Sequence, residues 1–404
     1  MKLVVPNVRH LAAFQAAARG KGISAAARAS HVSQPAITQA IAEFERDMGA
    51  RLMIRSARGV ALSEAGRLAL VRVERALAHL HEALTWLTPT GKRRDGAPLR
   101  VATPARLSAI VAVSQNLGFG SAARACGLSR TTVHHATREL ERALGVTLLE
   151  ATSHGVRCTR EAERFVRLVY LATAEIEQAR AEVRNVEGTE CGETVIGVMP
   201  LARSALIPRA VLAFAARTPH HRIRLLDGPY DTLLRELQAG RADFLIGAHR
   251  DTAPSDIIQK HLFDDPLAII VRAGHPLAAP AGRGLRLKAL TRYAWIAPRP
   301  DSPLRRQFDA LMARLPSAPP AEPIECNSLM AARAMLVASD RVMLLSVNQV
   351  SHEISSGQLI ALPHPSGDVY RSIVMTMRRD WLPTKTQGEL LRTIHQHCAD
   401  YVRP

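Results

Sequence analysis

Displaced by 96 residues, the first part of the chain aligns with its own continuation without a gap. Leu11 falls on Leu107, Ala26-Ala27-Arg28 on Ala122-Ala123-Arg124, Ser33 on Ser129 and Glu45 on Glu141. Gly49, Leu52 and Gly59 fall on Gly145, Leu148 and Gly155. A repeat of this length constrains the fold more than any local pattern, because whatever the first stretch forms the second must form again. The expectation is a tandem duplication of one helical module, followed by a region of different rhythm.

Within the first copy, the stretch from His31 to Leu52 is the most informative. Ser33 suits a helix cap, since its side chain accepts first-turn amides. Pro35 is tolerated there because those amides have no intrahelical partner to lose. Ile37, Ile41, Phe44 and Met48 recur at helical spacing and predict one buried stripe. Gln34, Thr38 and Gln39 are left facing outward near the start of the helix, and such uncharged hydrogen-bonders suit a helix entering the major groove of DNA. Upstream, residues 8–18 predict a helix with Leu11 and Phe14 inward, and Ser24 is expected to cap a short alanine-rich helix. A turn at His31-Val32 completes the helix-turn-helix order. Residues 52–62 predict a two-stranded wing with Gly59 at its tip, carrying Arg55 and Arg58 toward phosphate or the minor groove.

A long helix begins at Ser63, with a heptad seam at Leu70, Val73, Leu77, Leu80, Leu84 and Leu87 that predicts a dimerising linker helix. It stops near Pro89, and residues 89–104 read as a Pro/Gly/charged linker. The second module then spans 105–158, with its own linker helix over 159–187 and a seam at Phe165, Val169, Ala172, Ile176, Ala179, Val183 and Val186. This copy departs from the first where DNA would be touched. Gln34-Pro35 becomes Arg130-Thr131, Thr38-Gln39 becomes His134-His135, and Arg55 and Arg58 become Ala151 and His154. Arg130, His134 and Arg157 remain candidate DNA contacts. Two roles stay open for this copy: dimerisation, or weak DNA binding with a different specificity. The paired histidines read either as a pH-sensitive contact or as solvated surface groups.

Charge supports the distinction. Residues 1–100 carry a net +9, residues 101–190 only +1, and residues 191–404 +7. DNA phosphate is the partner that a basic first module fits. Five scattered cysteines without a CxxC pair argue against a disulfide framework or zinc site, and a reducing cytoplasm fits best. No apolar run is long enough to span a membrane, and no signal peptide is expected.

The strings SAAARASHVSQPAITQAIAEFE and RSARGVALSEAG resemble the winged helix-turn-helix of LysR-type transcriptional regulators. From residue 191 the rhythm changes to alternating strands and helices, with Thr194–Met199, RIRLLDG, Asp243–Gly247, LFDDPLAIIVRAGHPLA, YAWIAP and RVMLLS as strands. This stretch, 191–404, resembles the two-lobed, periplasmic-binding-protein-like sensor domain of the same regulators. GRADFLIGA, LFDDPLAIIVRAGHPLA and RRDWLPT are most similar to the branch that includes regulators of sugar uptake and aromatic-acid catabolism. The expected fold is therefore α/β overall, with two all-α-rich winged domains (1–62 and 105–158), linker helices (63–88 and 159–187), and the α/β sensor. The resemblance implies that effector binding between the lobes would change packing in an oligomer, re-space the DNA-binding heads and alter promoter bending.

No GxSxG elbow, P-loop, HExxH or dinucleotide turn is present, so no enzyme and no cofactor are expected. The 16 histidines read as solvated and not as metal ligands. Effector candidates follow from the rule that ligands collect at strand carboxyl ends beside helix N-termini. Met199 and Ser204 follow the first strand, Ser302 and Arg305 follow YAWIAP, and Asn327-Ser328 opens a further helix; helix capping alone also accounts for the serines. A carboxylate, aromatic acid or sugar is the expected effector. Double-stranded promoter DNA, a second copy of the chain through the linker helices, and RNA polymerase are the expected partners, with no membrane. The rival readings are an architectural DNA-binding protein whose C-terminal domain senses nothing, and a ligand-binding or enzyme module.

Overall fold

A computed structural model describes residues 5–20, 22–56, 59–87, 97–116, 118–153, 155–188, 191–199, 206–278, 285–300 and 302–402. The chain divides into two compact units, one of residues 1–194 with 220–222 and 238–241, the other of the remainder.

The first unit begins with helices α1 (Val8–Arg19), α2 (Ile23–Ser30) and α3 (Gln34–Met48), a hairpin of β1 (Met53–Ser56) and β2 (Gly59–Leu62), and the long helix α4 (Glu64–Leu87). A short helix α5 (Ala97–Val101) lies inside the stretch expected to be plain linker, a correction. The order then recurs: α6 (Pro104–Asn116), α7 (Phe119–Cys126), α8 (Arg130–Leu144), β3 (Leu149–Thr152), β4 (Gly155–Cys158) and α9 (Arg160–Val186).

The recurrence extends to individual bonds. Glu45 accepts the backbone amides of Leu52 (2.7 Å) and Met53 (2.9 Å), and Glu141 accepts those of Leu148 (2.7 Å) and Leu149 (3.0 Å). Each carboxylate thus ties its recognition-type helix to the first strand of its wing. Gly49 and Gly145 end those helices at φ 77° and 69°, a left-handed conformation that costs glycine little. Ser63 and Thr159 cap α4 and α9 by accepting the amides of Gly66 (2.9 Å) and Ala162 (3.2 Å). The buried stripe of α3 is Ile37, Ile41, Phe44 and Met48, as its spacing predicts. In α8 the place of Ile41 is taken by Thr137, fully buried, whose hydroxyl is satisfied by the Val133 carbonyl at 2.8 Å.

One local expectation is corrected. Ser24 does not cap α2: Gly22 holds the cap position, and the Ser24 hydroxyl donates to Gln34 Oε1 at 3.3 Å. His31 closes α2 at φ 51°, in the left-handed position that Gly127 occupies in the second copy.

The linker helices α4 and α9 pack on each other within the chain, and both seams except Val186, which is exposed, enter one apolar core shared by the two modules. They run antiparallel, because Arg72 near the start of α4 meets Glu175 and Glu182 late in α9, while Glu82 late in α4 meets Arg164 early in α9. The seams expected to join two copies of the chain cover each other within one chain. Val73, Leu77, Leu80, Leu84 and Leu87 are buried, as are Phe165, Val169, Ala172, Ile176, Ala179 and Val183, so the seams are spent inside one chain.

The second unit contains α10 (Leu206–Ala215), β7 (Phe244–Ala248), the long strand β8 (Ile257–Arg272) and all but an end of β5 (Gly192–Val198), β6 (His221–Asp227) and α11 (Tyr230–Gln238). It continues with α12 (Leu287–Leu290), β9 (Trp295–Ala297), α13 (Pro303–Met312), β10 (Ile324–Glu325), α14 (Leu329–Ala338) and β11 (Val342–Ser346). Then α15 (Ser351–Ser355), β12 (Leu359–Leu362), β13 (Val369–Arg378) and α16 (Lys385–Val402) complete it. The strands follow the order β10-β9-β11-β8-β13-β7-β5-β6, with β12 beside β8. Two cores mark two lobes, one around Ile196, Phe214, Phe244 and Ile373, the other around Ile270, Trp295, Phe308 and Leu344. The antiparallel strands β8 and β13 serve both, since Phe263 lies in the first core and Ile269 in the second. Strands β10 and β12, which the sequence pattern did not announce, are a two-residue edge and a four-residue strand.

Candidate DNA-reading heads and effector cleft

The tip of α3 is exposed at Ser33, Gln34, Pro35, Thr38 and Gln39. Ser33 occupies the N-cap without making the side-chain bond. The Thr38 hydroxyl donates to the Gln34 carbonyl (2.9 Å), and Gln39 Nε2 donates to Glu43 Oε1 (2.7 Å). These are local bonds at an exposed surface, and exchanging them for base edges costs little net hydrogen-bond energy. Arg55 sits on β1 opposite Val60; its side chain, and Arg58 altogether, lie outside what the structure describes.

In the second copy Arg130, His134 and His135 are likewise exposed on α8, while Ser129 caps the helix by accepting the Thr132 amide at 3.0 Å. The two histidines are not simply solvated. His134 stands edge-on to Phe119 with ring centroids 4.9 Å apart, and His135 lies 3.6 Å from Glu139. On the wing, Arg157 is held by Glu150 at 2.8 Å across the β3–β4 pair, so a phosphate would compete with that carboxylate. The corresponding pair of the first wing is Ile54 and Ala61, which carries no charge. His154 lies outside the described residues.

In the second unit a cavity of about 320 Å³ opens at the carboxyl ends of β5, β6, β7 and β9, the size of a small organic ligand. Met199, Ser302, Asn327 and Ser328 line it, so four residues singled out from the sequence converge. Arg305 does not: it donates to Asp309 (2.8 Å) along its own helix and to the Pro298 carbonyl (3.2 Å) in the loop before it. Ser204 lies outside the described residues. Both serine hydroxyls are engaged in capping, accepting the amides of Arg305 (3.1 Å) and Ala331 (3.3 Å), and they bring the N-termini of α13 and α14 to the cavity wall. Met199 rests on Gly247, where a Cβ would fall 2.1 Å from its terminal methyl.

Sequence reasoning missed the cationic lining: Arg250, Arg299 and Arg371 face the same space, with Tyr230, Asp227 and Gln349. Arg371 is positioned by the fully buried Asp265 (2.9 Å) and by Gln349 Oε1 (2.9 Å). Asp265 in turn accepts from Ser346 Oγ (2.7 Å) and Asn348 Nδ2 (2.8 Å). The Arg250 guanidinium stacks on the Tyr230 ring at 4.6 Å. Burial pulls Arg250 below its usual value, with Tyr230 and Asp231 acting against that fall and the charges of Arg299 and Arg306 adding to it. Burial also pushes the Tyr230 phenol up. Its hydroxyl is buried and has no hydrogen-bond partner among the described residues.

Among the described residues no three His, Cys, Asp or Glu side chains gather as a metal site, and no helix is long and apolar enough to cross a membrane. His221 and His275 are buried, which corrects the solvated reading for those two.

A winged helix-turn-helix head on the same chain as a two-lobed α/β body with a ligand-sized cleft defines a DNA-binding transcriptional regulator with an effector domain. Residues 187–399 match the LysR substrate binding domain family, and residues 8–67 and 104–163 both match the bacterial regulatory helix-turn-helix proteins of the lysR family. The chain belongs to the LysR family of transcriptional regulators. The HTH-type transcriptional regulator GalR of Pseudomonas putida is 31% identical over 394 residues, 97% of each chain. The HTH-type transcriptional regulator PcaQ of Agrobacterium fabrum is 30% identical over 304 residues, covering 73% of this chain and 94% of that one. Two solved structures share the fold. A full-length OxyR from Pseudomonas aeruginosa has a TM-score of 0.54 at 22% identity, covering 73% of this chain and 93% of that one. CbnR, a LysR family transcriptional regulator, has a TM-score of 0.51 at 17% identity, covering 72% and 98%.

Proposed function

We propose that this regulator carries a tandemly duplicated winged module, reads promoter sequence with its first head, and responds to a small organic anion held in the cleft of its second unit. The duplication is supported by the 96-residue offset, the recurring element order and the paired family matches. It is supported further by the GalR relative, which aligns over 97% of its own length and so has room for both modules. The domains then run 1–62, 63–88, 105–158, 159–187 and 191–404. Reading by the first head rests on Gln34, Thr38 and Gln39, exposed at the start of α3 on the most basic part of the chain. With the linker seams spent in cis, an oligomer of this chain uses other surfaces.

The observation that carries the effector reading is the lining of the cleft. Three arginines, two helix N-termini and Tyr230, whose buried hydroxyl has no hydrogen-bond partner among the described residues, line it, against one carboxylate at Asp227. Cations and helix N-termini favour a negative ligand, and the Tyr230 hydroxyl offers it a further hydrogen bond. A carboxylate with an apolar or aromatic body fits this better than a neutral sugar. Thermal-shift titration with aromatic carboxylates, aliphatic dicarboxylates and neutral sugars tests it, because a ligand that binds only the folded state raises the melting temperature by mass action. A carboxylate raises it, Tyr230→Phe and Arg250→Ala weaken that response about tenfold or more, and sugars leave it unchanged. A response to neutral sugars that survives Arg250→Ala overturns the anionic reading.

A further inference from the structure

We infer that one chain closes its two winged heads into a pair of unlike readers, so that its elementary DNA site is two different half-sites and not an inverted repeat. The inference rests on the reading of the duplication and of the first head given above.

The argument lies in the charges on α4 and α9. When two identical helices pair about a two-fold axis, every contact occurs twice, i with j and j with i. Here the contacts are one-sided. Arg72, 1% exposed, donates to Glu182 (2.9 and 3.0 Å) and to Glu175 (3.0 Å), and Arg75 donates to Glu175 at 2.8 Å. At the other end Glu82 takes Arg164 at 3.0 Å, and Arg164 also lies over the Trp86 ring at 4.4 Å.

The 96-residue offset shows what each helix would meet against a copy of itself. It places Arg72 on Leu168, Glu175 on His79, Glu182 on Trp86 and Arg164 on Leu68. A pairing of α4 with α4 would therefore set Arg72 against His79 and Trp86 in place of Glu175 and Glu182, with Glu82, between them on that face, as the one carboxylate within reach. A pairing of α9 with α9 would bury Glu175 and Glu182 against Leu168. Each like pairing gives up carboxylate–guanidinium contacts that α4 and α9 make with each other, which favours the unlike pair. The leucine-rich seams cannot discriminate by themselves, because both helices carry one. A further one-sided pair, Arg180 with Asp47 at 2.6 Å, ties α9 to the end of α3, and its counterparts are Leu84 and Ala143. The charges thus specify α4 with α9.

That pairing holds one head of each kind on a single packed body. The heads differ at three outward positions of the reading helix: Gln34 against Arg130, Thr38 against His134, Gln39 against His135. Operator palindromy mirrors a protein two-fold axis. A body that lacks one at the level of side chains has no reason to select it. Amide and hydroxyl tips read one half; an arginine suited to guanine edges or phosphate and two imidazoles meet the other.

The test is selection of the full-length protein on a random duplex pool, repeated with the exposed second-head variant Arg130→Ala/His134→Ala. The expected motif pairs one half-site with an unlike sequence one or more helical turns away (roughly 10 base pairs each), and the variant loses the second element while keeping the first. A second chain on the same DNA repeats that whole unit. A motif in which the adjoining half is an inverted copy of the first, unchanged by the second-head variant, overturns the inference and leaves DNA reading by the first head standing. Failure to enrich any sequence overturns both.

Discussion

His275 shows how a single buried side chain links this fold to pH. It is 1% exposed, accepts the Leu277 amide at Nδ1 (3.0 Å), and lies 3.2 Å from the Asp340 carbonyl through Nε2. That pattern requires the neutral ring with its proton on Nε2. Burial lowers its affinity for a second proton. The unfolded chain, with histidine near its ordinary value of about 6.5, therefore takes up the proton first as pH falls. The stability that His275 contributes is present above that value and is lost as pH falls through the lower folded one. His221, buried and bonded to Thr194 at 2.8 Å, shifts in the same direction. The melting temperature should fall between pH 8 and pH 5.5, and His275→Gln should shrink that fall. Equal falls in variant and parent would remove His275 from the account. The cleft residues belong to this scale too, since Tyr230 and Arg250 act as single placed groups and not as a motif.

At the scale of elements, α4 and α9 make the most extensive contact between two described elements. Burial opposes the charge of Arg72, but the bonds and charges of Glu182 and Glu175 outweigh it and hold the guanidinium above its usual value. Arg72→Leu, the residue that the second copy has at this place, should cost about 3–5 kcal/mol by stranding Glu182 and leaving Glu175 to Arg75. Adding Glu175→Gln and Glu182→Gln should recover much of that in urea unfolding, whereas a single loss below about 1 kcal/mol would show the cluster to be an ordinary surface pair. These helices also show what was legible beforehand. The seam at Leu70 to Leu87 announces that α4 is paired, because a repeating apolar stripe has to be covered. It does not say by what, since any second seam would serve. The partner is encoded in Arg72, Glu175 and Glu182, about a hundred positions apart in sequence, and only folding makes them neighbours. The cleft divides in the same way. Ser302, Ser328 and Met199 follow local logic at a helix cap or strand end. Arg250, Arg299, Arg371 and Tyr230 come from four separate segments, and their meeting depends on β13 lying between β7 and β8.

For the molecule as a whole, the two copies of the winged module share backbone bonds, caps and core, and differ at the surface that would face DNA. Conservation of Glu45 and Glu141 in the same role keeps each wing against its helix. Exchange of Gln34, Thr38 and Gln39 for Arg130, His134 and His135 changes only the exposed tip. The second wing spends Arg157 on Glu150, and the module as a whole is nearly neutral. Sequence discrimination should therefore reside in the first head, with the second contributing less. The most direct measurement is fluorescence anisotropy of the full-length protein on its selected site and on a scrambled duplex at one fixed salt concentration, for the parent, Gln34→Ala/Thr38→Ala and Arg130→Ala/His134→Ala. The first variant should lose about 10- to 100-fold in preference for the selected site, at about 1–3 kcal/mol per base contact, while its salt-dependent binding to the scrambled duplex stays near that of the parent. The second should keep most of the preference. Preference that survives in the first variant and vanishes in the second would contradict the assignment of the reading head.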